Sequence, residues 1–259
     1  MQAILNVAIN AAIQAGKLIN QYVDRLDCIN IQQKTHNDFV SEVDRQAEEI
    51  IIQDIQKFFP DHAIEAEESG LQGKNEYCWI IDPLDGTANF IHGIPQFAVS
   101  IAVKHKDTLV AGVVYDPSSH ELFTALKGKG ARLNNRRLRI SQTNQLSKAL
   151  IGTGFPFRHP DRIDHYIEIF KDMMINSSGI RRAGAAALDL AYVAAGRLDG
   201  FWEDGLNSWD IAAGALLIEE AGGMISDFSG EQHFLQNGNL VTGNAKIHKQ
   251  LLDIIGKHK

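Results

Sequence analysis

Cysteine is scarce: only Cys28 and Cys78 occur, and their spacing suits no metal. A chain of 259 residues can build a core without covalent staples, so both read as reduced core thiols rather than a disulfide. No apolar run is long enough to span a bilayer. The opening Met1-Gln2-Ala3-Ile4-Leu5 has no basic segment, and Asn6, Asn10 and Gln14 interrupt its hydrophobic residues, unlike a secretory signal. The expected location is therefore the cytoplasm, with no membrane partner. An excess of positive charge is also missing, because 25 basic residues face 32 acidic ones for a net charge of −7. That argues against a protein built mainly to grip nucleic acid or anionic lipid by charge. An anionic ligand would need local help from metal ions, helix N-termini or backbone amides. No two of the ten histidines form a pair at metal spacing, and no internal repeat, low-complexity tract or long linker appears.

Hydrophobic residues make up 44% of the chain, enough for a large core. Ile4, Leu5, Ala8, Ala12, Ala15, Ile19 and Tyr22 recur at helical spacing and predict a long amphipathic first helix. A second helix is predicted over Glu42–Phe59, ended by Pro60. A β-rich middle follows, with strands over Tyr77–Ile81 and Phe97–Val103 and a hairpin of Val110–Tyr115 and Glu121–Ala125 about Asp116-Pro117-Ser118-Ser119. Lys127-Gly128-Lys129-Gly130 reads as a solvated turn. Beyond this, strands and helices alternate. Strands are predicted at Ala149–Thr153, Gly200–Glu203, Met224–Asp227 and Leu240–Thr242. Helices are predicted at Asp161–Met174, Ala185–Ala195, Trp209–Ala221 with Ser208 as its cap, and Ala245–Ile255. The pattern is layered α/β, in two closely joined parts: 1–145, carrying most of the acidic candidates, and 146–259, carrying Asp210.

The most informative segment is Trp79-Ile80-Ile81-Asp82-Pro83-Leu84-Asp85-Gly86-Thr87. An apolar strand ends at Asp82, Pro83 fixes the backbone, and Asp85-Gly86 turns the chain into a short helix. Two carboxylates and a carbonyl then share one bend, and these are the hard oxygen ligands that Mg²⁺ takes. The N–H groups of Gly86 and Thr87 can hold a phosphate oxygen, and Gly86 permits close approach to the backbone. Alone, the segment reads equally as an Asx turn with two solvated aspartates. Glu65-Ala66-Glu67-Glu68-Ser69 reads alone as a solvated loop, while Asp210 in Ser208-Trp209-Asp210 and Asp44 read as helix-start charges favoured by the helix dipole.

Together, in this order, the segments resemble the inositol monophosphatase family in its bacterial branch. The motifs are Asp38-x-Val40-x-x-x-Asp44, Glu67-Glu68-Ser69, the Trp79–Thr87 segment, Gly184-x-Ala186-Ala187-x-Asp189-x-Ala191-x-Val193-Ala194-x-Gly196, Trp209-Asp210-x-Ala212-Ala213-Gly214, and Glu219 to Gly223. The resemblance spans the chain from Gly16 through Asn244. This sequence departs from the family pattern at Ala88 and Ala185, where hydroxyl residues are usual. It departs again at Asn207-Ser208, where a basic residue and proline are frequent.

The resemblance implies a five-layer αβαβα sandwich, a homodimer and inhibition by Li⁺. It implies two or three Mg²⁺ ions per site: one held by Glu67, Asp82 and the carbonyl of Leu84, one by Asp82, Asp85 and Asp210, and a weaker third near Glu67. Asp44 is implied as an outer-shell carboxylate and Lys34 as a mobile-loop lysine near the metals. Asp85, Gly86, Thr87, Ala186, Glu203 and Asp210 are implied substrate contacts. The implied reaction is in-line attack on a small phosphate monoester, most simply an inositol monophosphate, by a water activated by Mg²⁺ and oriented by Glu67 and Thr87, with Asp82 central to the metals. Related lithium-sensitive phosphatases act on fructose bisphosphate, adenosine 3′,5′-bisphosphate, histidinol phosphate or NADP and share these ligands. Glu203 favours a polyol, because a carboxylate accepts bonds from hydroxyls. Bacterial members are also linked to transcription antitermination complexes, so a nucleic-acid or transcription-complex partner belongs among the alternatives.

Overall fold

The structure, a computed structural model, describes residues 1–23, 25–26, 31–35, 38–157 and 159–258, with the backbone alone for 31–35 and 38–40. Helix α1 (Gln2–Tyr22) buries Ile4, Leu5, Ala8, Ala12, Ala15 and Ile19, the stripe that its periodicity requires. Strands β1 (Ile31–Thr35) and β2 (Asp38–Ser41) form a small antiparallel pair. Ser41 then opens α2 (Glu42–Phe58): its Oγ accepts from Val43 N at 3.1 Å, and Asp44 accepts from Ser41 N at 2.8 Å. This reciprocal arrangement satisfies donors that a helix start leaves unpaired.

The next elements are β3 (Ala63–Ala66), β4 (Gly70–Gln72), β5 (Tyr77–Asp85), α3 (Thr87–Ile91), β6 (Ala98–His105), β7 (Thr108–Asp116), β8 (Glu121–Leu126), β9 (Gly130–Leu133) and β10 (Arg136–Arg137). Their strands make one eight-stranded sheet in the order β10-β9-β8-β7-β6-β5-β3-β4, antiparallel except where β3 runs parallel to β5. The chain continues through β11 (Leu150–Thr153), α4 (Ile163–Asn176), β12 (Gly179–Arg181), α5 (Ala186–Ala194), β13 (Gly200–Glu203), α6 (Ser208–Ala221), β14 (Met224–Ser226), α7 (Phe234–Asn237), β15 (Leu240–Gly243) and α8 (Ala245–Ile255). A five-stranded sheet results, ordered β12-β11-β13-β15-β14.

Side-chain alternation stacks these parts in five layers. On β5, Trp79 and Ile81 join the core under α1 and α2, whereas Ile80 joins the core around α5 and α6. On β13, Phe201 enters that same middle core, and Trp202 points the other way, into a third core with Ile169 and Met173 of α4 and Ile247 and Leu251 of α8. The layer order is α1/α2, large sheet, α5/α6, small sheet, α4/α8, the predicted αβαβα sandwich. Trp79 and Trp202 are both fully buried, and each such side chain stabilises the fold by roughly 1.5–3 kcal/mol. Helices α5 and α6 therefore pack on both sheets, which brings residues from both to a common place.

Several boundaries differ from the sequence reading. Strand β5 does not stop at Ile81 but runs through Pro83 to Asp85. Helix α6 starts at Ser208 itself and is capped by Asn207. The Lys127–Gly130 turn is exposed over Lys127–Lys129, as read from the sequence, and is also tied down: Gly128 N and Gly130 N donate to the two Glu220 carboxylate oxygens at 2.8 and 2.7 Å, and Lys127 pairs with Glu219. Arg136 and Arg137 are the exposed edge strand β10. Cys78 is a buried free thiol, whereas Cys28 lies outside the described residues. No helix among the described residues is long and apolar enough to cross a membrane.

Candidate active site

The end of β5 is where the backbone becomes unusual. Asp82 pairs with Ser100 of β6 and Asp85 with Ala98, so three steps on one strand match two on the other. The extra residue is a β-bulge. Pro83 has no N–H to give the ladder, and Leu84 N turns inward to donate to Asp82 Oδ1 at 3.0 Å. The bulge sets both carboxylates and the Leu84 carbonyl on one wall of a cavity of about 180 Å³. Gly86 follows with φ +89°, and a Cβ there would lie 2.7 Å from the Gln96 carbonyl oxygen. Only glycine meets both demands.

Other elements converge on this wall. Asp210, in the first turn of α6, accepts from Asn207 N at 2.7 Å. Asp85 Oδ2 accepts from Ala187 N at 2.7 Å, in the first turn of α5, where the helix dipole favours a carboxylate. Glu67 follows β3, and its N–H extends the pairing with β5 by donating to Ile81 O at 3.1 Å. The turn after Glu67 is held by buried Glu48, whose two oxygens each accept at 2.9 Å from the N–H groups of Glu68 and Ser69. Ser208 Oγ donates to Glu65 Oε1 at 2.5 Å, linking the start of α6 to β3.

Asp82, Asp85 and Asp210 each offer an oxygen, and these lie within 4.8 Å of one another. Burial first, and then Glu67, Asp85 and Asp210, push the Asp82 carboxyl well above the usual range. Burial, with Asp210 as the largest charge, does the same to Asp85. The strongest electrostatic influences on both are thus other carboxylates, so ionising them is costly unless a cation intervenes. Oxygens on one Mg²⁺ at about 2.1 Å are at most about 4.2 Å apart, close to the observed span. The all-oxygen donor set with a neighbouring carbonyl fits a hard divalent ion better than Zn²⁺, which favours nitrogen and sulfur.

The other predicted residues fall around this cluster. Glu67, Leu84, Gly86, Thr87, Ala186 and Glu203 line the same cavity. Asp44 lies behind Thr87, whose Oγ1 is 2.8 Å from Asp44 Oδ1. Burial is the largest influence on Asp44 and raises its pKa, against hydrogen bonds from Ser41 and Thr87. Glu203 ends β13, and burial followed by the Asp210 and Asp189 charges pushes its carboxyl well up. Its seat depends on Gly154, where a Cβ would stand 1.8 Å from Glu203 Oε1. Lys34 is on β1, but its side chain is outside the described residues.

Sequence reasoning missed several members of the cavity. Phe155, Phe157, His159 and Arg182 also line it. The Arg182 guanidinium lies 5.2 and 5.1 Å from the Phe155 and Phe157 ring centres, within cation–π range. Asp189 belongs to the Gly184–Gly196 motif, which by itself assigns it no site role. The available signal was a single charge inside the otherwise apolar run Ala185–Ala195.

Known proteins resemble this chain over its whole length. The family model for the inositol monophosphatase family matches residues 1–259. The Nus factor SuhB of Pseudomonas aeruginosa is 54% identical over 264 residues, covering 100% of this chain and 97% of that protein. Among solved structures, the extragenic suppressor protein suhB of Bartonella henselae superposes with a TM-score of 0.96 at 44% identity, over 98% of this chain and 99% of that one. The inositol monophosphatase of Anabaena superposes with a TM-score of 0.90 at 38% identity, over 99% of this chain and 96% of that one.

Proposed function

Because the chain belongs to the inositol monophosphatase family, we propose that it is a Mg²⁺-dependent phosphomonoesterase acting on a small phosphorylated polyol, an inositol monophosphate first among them. The observation that carries this reading is the trio of mutually close carboxylates on Asp82, Asp85 and Asp210 inside a cavity that also holds Glu67, Thr87 and Glu203. Glu67, Asp82, the Leu84 carbonyl, Asp85 and Asp210 would hold two to three ions. Bound Mg²⁺ supplies Lewis acidity toward the phosphoryl oxygens and toward water.

The chain's own groups do the rest. Gly86 and Thr87, which both line the cavity, receive the phosphate at the bulge. The Thr87 hydroxyl can donate to Asp44 Oδ1 while a lone pair accepts from the attacking water. Glu67 orients that water from the other side. The proton lost on attack has a route through Thr87 Oγ1 to Asp44 Oδ1, where burial favours the protonated form. Ala186, at the start of α5, and Glu203 frame the leaving alcohol, with Glu203 accepting from its hydroxyls.

The reading is tested by phosphate release from inositol 1-phosphate, glycerol 2-phosphate, fructose 1,6-bisphosphate and adenosine 3′,5′-bisphosphate, with Mg²⁺ and after chelation. The expected result is Mg²⁺-dependent release, fastest from inositol 1-phosphate, with Li⁺ inhibiting. Preference for a bisphosphate would move the chain to the related lithium-sensitive phosphatases, and release that survives chelation would end the metal reading. The proposed setting is a cytoplasmic homodimer. Support for the dimer comes from α4, which exposes Ile163, Ile167, Met174 and Ile175.

A second reading is that the chain also serves as a Nus factor, the name carried by the P. aeruginosa relative. Such a role would use its surface rather than the cavity. An Asp82→Asn variant that loses phosphatase activity but complements deletion of its own gene would support it.

A further inference from the structure

One charged group in the cavity has no part in the mechanism above. Asp189 is the fourth residue of α5, three beyond Ala186, and it lines the cavity that holds Asp85, Glu203 and Asp210. It is 2% exposed. Its Oδ1 is buried and has no hydrogen-bond partner among the described residues. Buried carboxylate oxygens are almost always paired, and one left unpaired on a residue that lines a cavity is a place where something outside the chain completes the bond. Asp189 is not one of the three carboxylates close enough to share a cation, so the metal cluster does not account for it. Nor does a hydrogen bond from Arg182, the cation among the described residues that acts on it.

We propose that Asp189 is a specificity-determining residue that hydrogen-bonds a hydroxyl of the substrate's alcohol half, beside Glu203. The proposal rests on the phosphomonoesterase reading above. A hydroxyl is the partner that fits best on three grounds. It both donates and accepts, so it pairs with a carboxyl in either protonation state. Burial, opposed by Arg182, pushes Asp189 up to about 7, so both states are populated near neutral pH. A second phosphate would instead meet like charge, because Asp189 already acts on Glu203 and on Asp85 as a repelling neighbour. A site built to hydrogen-bond a hydroxyl discriminates strongly against an analogue that lacks it, because its buried polar atom is then left unpaired.

The experiment compares inositol 1-phosphate with phenyl phosphate, whose leaving group carries no further hydroxyl. The full-length protein is used as wild type, Asp189→Asn and Asp189→Leu, with kcat and KM resolved, Mg²⁺ titrated and melting followed for each. Asp189→Leu should lower kcat/KM for inositol 1-phosphate by about tenfold or more, chiefly through KM, and change phenyl phosphate by less than about threefold. Asp189→Asn, which keeps one acceptor oxygen and the same shape, should fall between wild type and Leu on inositol 1-phosphate. The Mg²⁺ midpoint should not move. Parallel losses on both substrates, a shifted Mg²⁺ midpoint, or unchanged inositol 1-phosphate turnover would overturn the proposal and leave Asp189 a structural residue. Should Asp189→Leu fail to fold, Asp189→Asn decides by the same comparison. A wild type that releases phosphate from neither ester fails differently: it removes the phosphomonoesterase reading, and this proposal with it.

Discussion

Thr87 Oγ1 lies 2.8 Å from Asp44 Oδ1 and 3.0 Å from the Leu84 carbonyl oxygen, so one hydroxyl joins a buried carboxyl on α2 to the acidic bulge of β5. The same Asp44 carboxylate caps α2 through Ser41. The helix start and the proposed proton route therefore share one group.

Thr87→Val keeps the shape of the side chain and removes that hydroxyl. It should lower kcat by about a hundredfold or more, the usual scale for losing a proton-transfer group, while Mg²⁺ affinity stays near wild type. Asp44→Asn should lower kcat too and also destabilise the fold, because the cap on α2 weakens by about 1 kcal/mol. Steady-state kinetics with Mg²⁺ titration checks both. A Thr87→Val enzyme with normal kcat would remove Thr87 from the chemistry.

Gly154→Ala places a methyl where Glu203 Oε1 now sits. The clash is with the far end of a side chain, so the protein should fold, with Glu203 displaced. KM for inositol 1-phosphate should rise several-fold and the Mg²⁺ dependence should stay the same. If Mg²⁺ affinity falls instead, Glu203 belongs with the metal ligands.

Stability should depend on pH and metal together. Burial and neighbouring carboxylates hold Asp82 and Asp85 well above the usual range. Such groups bind more protons folded than unfolded, so without metal their contribution to stability falls as pH rises from about 4 through their folded pKa values. Mg²⁺ binds the ionised forms and offsets that loss. Thermal melts should show a Mg²⁺-induced rise in Tm that is larger at about pH 8 than at about pH 6. A rise that shrinks toward alkaline pH contradicts the assignment of these carboxylates to a cation.

The exposed Ile167 on α4 gives a test of the dimer. Light scattering should give twice the chain mass of 28.6 kDa, and Ile167→Glu should shift the mass toward one chain. A wild-type monomer at working concentrations would rule the dimer out.

Much of the fold was legible because its helices carry strong periodicity: α1 and α2 emerge from their apolar spacing, and α8 begins at Asn244, which accepts from Lys246 N and Ile247 N. Strands β4, β10 and β12, of two or three residues each, are too short to show a period of two. The bulge at Asp82–Asp85 read as a strand end because it is defined only against the register of β6. Within the site, the acidic motifs were visible, and the structure brings Asp82, Asp85 and Asp210 together. The bonds that hold them were not visible: Ala187 N to Asp85, Ser208 to Glu65, and Glu48 to the turn after Glu67. Each joins residues distant in sequence. Ser208 looked like a helix cap on local grounds, but Glu65 takes its hydroxyl and Asn207 occupies the cap.

Asp82 tests the central claim most directly. It is buried at the bulge, and every large electrostatic influence on it comes from another proposed metal ligand. Phosphate release from inositol 1-phosphate should be measured across a Mg²⁺ titration for wild type and Asp82→Asn, with melting curves to confirm that both are folded. The account predicts a folded variant that binds Mg²⁺ more weakly and turns over at least about a thousandfold more slowly, a loss of about 4 kcal/mol or more in transition-state stabilisation. A folded Asp82→Asn protein with near-normal turnover, or a wild type whose activity ignores Mg²⁺, would contradict it.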